Sequence, residues 1–143
     1  MIFQSTKIIE LGSACFRQWR AESHCRFLHG YDLKCKVWLE SETGLDERNW
    51  VYDFGGFKSI RKKLQNAFDH KTCIADDDPC LDSFIELEKK GIIDLEIFPD
   101  GVGIEKFSEY CYVVISAQLP ANIIIRKVEV YEHSKNTAIY IRD

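Results

Sequence analysis

The stretch His29-Gly30-Tyr31-Asp32-Leu33-Lys34-Cys35-Lys36-Val37-Trp38-Leu39-Glu40 alternates residue by residue. His29, Tyr31, Leu33, Cys35, Val37 and Leu39 fall on one face; Gly30, Asp32, Lys34, Lys36, Trp38 and Glu40 fall on the other. A period of two is that of a β-strand with one buried face. Upstream, Lys7 to Leu11 and Phe16 to His24 read as extended, with Cys25 to Leu28 as the turn into this strand. Near the other end, Asn122 to Tyr131 is rich in Ile and Val. The polar turn Ser134-Lys135-Asn136 follows it, and then Thr137 to Arg142, which makes a second hairpin.

Between the hairpins the period changes. Phe54, Phe57, Ile60, Leu64 and Phe68 recur at three- and four-residue steps behind Asp53, which stands where an N-cap belongs. Ile104, Phe107, Cys111, Val114 and Ile115 predict a second helix, closed by Pro120, and Leu81 to Lys90 a shorter one stopped at Gly91. Lys58, Arg61, Lys62 and Lys63 read as the solvated face of the first helix. The order predicts one α+β domain over 1–143, a four-stranded antiparallel sheet of two hairpins with two main helices on one face. The other face carries Trp38, and association with further copies is the simple way to cover it.

The chain has 143 residues, 45% hydrophobic and 29% charged, which suits a single globular core. A net charge of −4 argues against a dedicated nucleic-acid binder, whose phosphate-facing surface is basic. No apolar run reaches the roughly 20 residues that span a bilayer. The start Met1-Ile2-Phe3-Gln4-Ser5-Thr6 lacks a charge-then-apolar layout, so a cytoplasmic protein is expected. The six cysteines, Cys15, Cys25, Cys35, Cys73, Cys80 and Cys111, form no CxxC pair and are expected to be thiols, most of them buried.

Chemistry is concentrated around few residues. His24 and His29 flank a short turn, and rings on adjacent antiparallel strands converge on one point. Tyr31 lies two residues past His29 and Glu22 two before His24, so two imidazoles and an oxygen would suit a catalytic Zn²⁺; two unrelated histidines near a hairpin fit the spacing as well. Asp69-His70 ends the first helix, where the pair serves either acid–base chemistry or a favourable charge at a helix C-terminus. Glu132 ends a strand, beside His133, and reads as a grip for two N–H donors or as a solvated edge residue.

The run Arg20-Ala21-Glu22-Ser23-His24, then Cys25-Arg26-Phe27-Leu28-His29-Gly30-Tyr31, resembles the first-strand His and the C-x-x-L-H-G-H segment of the 6-pyruvoyltetrahydropterin synthase/6-carboxytetrahydropterin synthase family. Val51-Tyr52-Asp53-Phe54 with Lys58 is similar to the family's V-x-D-F…K entry to the first helix. Phe68-Asp69-His70 resembles its L-D-H element, Val130-Tyr131-Glu132 its V-x-E strand end, and Gly103-Ile104-Glu105 its Thr/Ser-x-Glu helix start. The likeness runs in family order over nearly the whole chain.

What the resemblance implies is the T-fold, in which subunits form trimeric barrels that pair into hexamers, with active sites between subunits. It implies a lyase acting on 7,8-dihydroneopterin triphosphate, closest in motif form to the 6-carboxytetrahydropterin synthases of queuosine biosynthesis. In those terms His24, His29 and Tyr31 stand at the zinc-ligand positions and Cys25 is the catalytic thiol. Asp69 and His70 are its proton-transfer partners, and Glu132 and Glu105 bind the pterin. Arg17, Arg20, Arg26 and Lys34 are candidate charges for the triphosphate. The chain departs from the family in three ways. Tyr31 replaces the third zinc His, so that Tyr31 ligates, Glu22 substitutes or the metal is lost; Cys25 follows His24 directly; Gly103 lacks the hydroxyl. The other reading is a divergent or non-catalytic T-fold protein that binds a purine or pterin through Glu132.

Overall fold

The computed structural model describes residues 2–143; Met1, part of the amino-terminal stretch read above, lies outside the described residues. Its strands are β1 (Gln4–Phe16), β2 (His29–Ser41), β3 (Lys71–Ala75), β4 (Leu95–Phe98), β5 (Ile123–His133) and β6 (Asn136–Ile141). Its helices are α1 (Lys58–Phe68), α2 (Leu81–Lys89) and α3 (Ile104–Ser116). The sheet order is β4-β3-β1-β2-β5-β6, with β1/β2, β2/β5 and β5/β6 antiparallel.

Those three antiparallel pairings are the two expected hairpins, joined through β2 and β5. The sheet nevertheless has six strands rather than four, because β3 pairs parallel with β1 and β4 parallel with β3. Thr72, Cys73, Ile74 and Ala75 are all buried. A short strand buried on both faces is a continuous run without alternation, so periodicity does not reveal it.

The predicted alternation of β2 holds. Leu33, Cys35, Val37 and Leu39 are fully buried, while Trp38 lies on the outer face between the ammonium groups of Lys36 and Lys127, 4.8 and 4.3 Å from its ring. On the inner face α1 contributes Ile60, Leu64 and Phe68, and α3 contributes Phe107, Cys111 and Ile115. Asp53 does cap, but it caps a 3₁₀ turn, Phe54–Phe57, that feeds α1: its carboxylate accepts from the Gly55 amide. Phe16, Phe68, Phe98 and Phe107 form one aromatic cluster, with Phe107 edge-on to Phe16 at 5.2 Å and to Phe68 at 5.0 Å. Such pairs add specificity of orientation to plain burial.

The expectation for Phe16 to His24 is corrected: β1 ends at Phe16, and 17–28 is an irregular connection holding a single 3₁₀ turn, His24–Arg26. Its conformation comes from distant partners. The Arg17 guanidinium donates to both oxygens of Asp78 at 2.7 and 2.6 Å, and Asp78 is almost wholly buried in the β3–α2 connection. Asp78 also accepts from the Cys80 amide at 2.8 Å. The Trp19 indole N–H donates to Asp77, and the exposed Arg20 stacks on the Trp19 ring. Arg17 is therefore committed to a carboxylate and is removed from the candidate triphosphate charges.

The hydrogen bonds from Arg17 hold the Asp78 carboxyl below the ordinary carboxylate range, against the upward pull of burial. Folding then favours the deprotonated form. Its contribution is complete above about pH 4 and is lost as pH falls through the depressed value. Asp78→Asn leaves a half-buried guanidinium without its counter-charge, and should lower the unfolding free energy by about 3 kcal/mol at neutral pH. In urea denaturation the gap between variant and parent should close in acid.

Candidate active site

Five of the sequence-predicted residues, Cys25, His29, Tyr31, Glu105 and Glu132 together with the neighbouring Gln18, line one cleft of about 490 Å³. They come from the β1–β2 connection, the start of β2, the start of α3 and the end of β5. Phe16 forms part of the wall, its ring 5.2 Å from that of His29, so the aromatic cluster of the core continues into the site.

His29 is fixed. Its Nδ1 donates to the Phe27 carbonyl at 2.6 Å, which leaves Nε2 as the ring nitrogen without a partner among the described residues. Tyr31 stands edge-on to His29 at 5.4 Å. Burial first, and then the charges of Glu132 and Cys25, push its phenol above the ordinary tyrosine value, so it remains a neutral hydroxyl. Glu132 is mostly buried and accepts from the Asn136 side-chain Nδ2 at 3.2 Å, with His133 Nε2 4.0 Å away. Glu105, in the first turn of α3, is exposed. Two carboxylates and a fixed imidazole in one cleft suit a ligand rich in N–H donors.

Asp69 and His70 stand elsewhere. Asp69 Oδ1 lies 3.0 Å from His70 Nδ1 and accepts from the Ser13 amide at 3.1 Å. His70 is left-handed (φ 61°), and its own amide donates to the Ser13 carbonyl at 2.6 Å. This turn docks on a bulge of β1 at Gly12 (φ 105°), where a Cβ would collide with the Asp69 carboxylate. The His70 imidazole opens into a second cleft, of about 710 Å³, with Cys15, Gly30 and Asp32. Cys15, Gly30 and Asp32 alternate with Phe16, His29 and Tyr31 along β1 and β2, so the two clefts open on opposite faces of the sheet, with Tyr31 bordering both. The Asp–His couple forms as the sequence predicts; within one chain it does not face Cys25.

His24 is also displaced from its expected place. It lies on the exposed 3₁₀ turn, not on a strand beside His29, and does not line the cleft. Glu22 is exposed on the same connection. Among the described residues no group of three or more His, Cys, Asp or Glu side chains is disposed to hold a metal ion. One fixed imidazole, a second on a turn and a neutral phenol fall short of the three-ligand set of a catalytic zinc. Of the remaining triphosphate candidates, Arg26 donates to the Glu22 carbonyl and lies over Phe27, while Arg20 is 3.5 Å from Asp77; both are exposed. Lys34 is half-buried on the outer face of β2, the face opposite the Glu132 cleft.

The fold is shared with known proteins. The family model described as 6-pyruvoyl tetrahydropterin synthase matches residues 10–143. The chain belongs to that family. Among solved structures it is similar to an uncharacterized protein from Wolinella succinogenes, at 20% identity and a TM-score of 0.87, covering 100% of this chain and 99% of that one. It is similar to the 6-pyruvoyl tetrahydropterin synthase of Caenorhabditis elegans at 20% identity and a TM-score of 0.68, covering 100% and 97%. The Plasmodium falciparum enzyme matches at 14% identity and a TM-score of 0.67, covering 97% and 98%. No curated protein matches the chain. The sheet, curled into a half-barrel with its helices, is the T-fold of these synthases. No helix among the described residues is long and apolar enough to cross a membrane.

Gln18 and Gly12 were not singled out by sequence reasoning, since their partners, Val102 and Asp69, lie far along the chain. Gly12→Ala should expel Asp69 from the Ser13 amide and cost more than about 1 kcal/mol in thermal or urea unfolding, because the glycine's backbone is closed to alanine. Tyr31→His adds a neutral imidazole beside His29 and should raise the zinc content of the purified protein above that of the parent, measured by elemental analysis.

Proposed function

We propose that this protein is a tetrahydropterin synthase-like lyase that acts on 7,8-dihydroneopterin triphosphate. The observation that carries the reading is the meeting of Cys25, His29, Glu105 and Glu132 in one cleft of a chain that belongs to the family. The Glu132 carboxylate, held by Asn136, accepts paired hydrogen bonds from the amino and ring N–H groups of the pterin. Cys25 and the Asp69–His70 couple move protons at the side-chain carbons. Loss of a proton there supplies the electron pair that expels triphosphate as the C–O bond breaks. Arg20 and Arg26 are the exposed cations that would meet the anion.

Because Asp69–His70 lies on the opposite face of the sheet, the reading requires a neighbouring copy to bring its own couple to the Cys25 cleft. The sheet offers the means. β3 covers β1 only at Ala14–Phe16, so the remaining length of β1 is a free edge, as is the outer side of β6. Free edges of a curled sheet pair with each other. Side-by-side pairing of β6 with the next copy's β1 closes a ring, a trimer or a pair of trimers, that covers Trp38.

The separation of the two clefts also favours a second reading, a non-catalytic protein that holds a purine or pterin through Glu132. Incubation with 7,8-dihydroneopterin triphosphate decides between them. The first reading expects triphosphate release that falls at least 100-fold in Cys25→Ala and in His70→Ala, from an oligomer seen by light scattering. Release absent from the parent, with pterin binding lost in Glu132→Ala, would establish the second.

A further inference from the structure

Gln18 joins three parts of the site. Its backbone amide donates to the Cys25 carbonyl at 2.8 Å, its carbonyl accepts from the Ala21 amide at 2.9 Å, and its side-chain Nε2 donates to the Val102 carbonyl at 2.7 Å. The last bond crosses from the end of β1 to the start of α3. A carbonyl only accepts, so the nitrogen of the carboxamide is the atom on Val102, and Oε1 points away from it. Among the described residues Oε1 accepts no hydrogen bond, and Gln18 lines the cleft together with Glu105 and Glu132.

Gly103 shows that this placement is built in. It is buried, with φ 119°, immediately before α3. A Cβ there would collide with Gln18 Nε2, and would lie 3.6 Å from Glu105 Oε2. The carboxamide therefore fills the volume that any side chain at 103 would take, and it is held beside the Glu105 carboxylate. A half-buried polar side chain that lines a cleft, tied through its nitrogen and with its oxygen unpartnered, is preorganised to accept a hydrogen bond from what enters.

We propose that Gln18 is a specificity-determining residue of this cleft, its Oε1 accepting the ring N–H that a 7,8-dihydropterin has and an oxidised pterin lacks. The proposal rests on the reading of the cleft as a pterin site. Glu132 takes the amino and N3–H edge, which both oxidation states share. A carboxylate gripping that edge does not tell the two apart. The reduced ring adds one donor, at N8, and a neutral acceptor fixed by Val102 pairs with it without adding a third negative charge to the two carboxylates already present. An oxidised ring presents a lone pair at N8, which faces Oε1 unfavourably.

The test is titration calorimetry of the full chain with 7,8-dihydroneopterin and with neopterin. The parent should bind the dihydro form about tenfold more tightly, the worth of one well-formed hydrogen bond. Gln18→Met, with Gln18→Ala as a second variant, should bring the two affinities within about twofold while neopterin still binds. Either variant losing affinity for both ligands equally would assign Gln18 a purely architectural role and overturn the proposal. So would an undiminished preference in the variants, or a parent without preference. If both ligands bind the parent and Glu132→Ala abolishes binding, the pterin reading stands whatever Gln18 does. If neither ligand binds, that reading and this proposal fail together.

Discussion

The buried ion pair of Arg17 and Asp78 is the constraint on which the site rests. It stops β1 at Phe16 and turns the following residues toward the β3–α2 connection, and Arg17 Nη1 also reaches the Arg26 carbonyl at 3.4 Å. The 17–28 connection has little regular hydrogen bonding of its own, so its shape is borrowed from partners far along the chain. A bidentate guanidinium–carboxylate pair suits this work because its planar fork sets direction as well as distance. Cys25, which has no ladder of its own, stays beside His29 because Gln18 and Arg17 donate to the Cys25 and Arg26 carbonyls of the turn that carries it.

A second layer of order comes from the core. Phe107 packs on Phe16, Phe16 on His29, and His29 on Tyr31, so an imidazole at the mouth of the cleft is continuous with the aromatic interior. On the other face of the sheet, the Asp69–His70 turn is seated by two residues of positive φ, Gly12 and His70, with the Asp69 carboxylate accepting from the Ser13 amide and the His70 amide donating to the Ser13 carbonyl. Both arrangements place polar groups on backbone that packing cannot easily move. They also put the Asp69–His70 couple and the Cys25 thiol on opposite sides of one sheet, so the proposed function calls for a second copy to bring the two together.

The alternation from His29 to Glu40 reported its strand correctly because one face of β2 is fully buried, and the spacing from Phe54 to Phe68 reported its helix because one stripe meets the sheet. β3 and β4 left no comparable trace: β3 is short and enclosed, and β4 is a four-residue edge strand, too short to show a period. His24 and His29 looked equivalent along the chain; one is anchored to a carbonyl at a strand start, and the other is exposed on a turn. Glu132 and Asp69–His70 stood out as residue types at element ends, where side chains can be presented.

What the amino-acid order alone determined is what depends on neighbours within a few residues: the two hairpins, the main helices, the Asp53 cap and the family likeness carried by short motifs. Tertiary structure decided what depends on pairs distant in sequence. It took Arg17 away from any anion by giving it Asp78, set Gln18 against Gly103, and put Cys25 and His70 on different faces. Local spacing encodes which way a side chain leaves its own strand or helix; only the packing of one element on another encodes what that side chain meets.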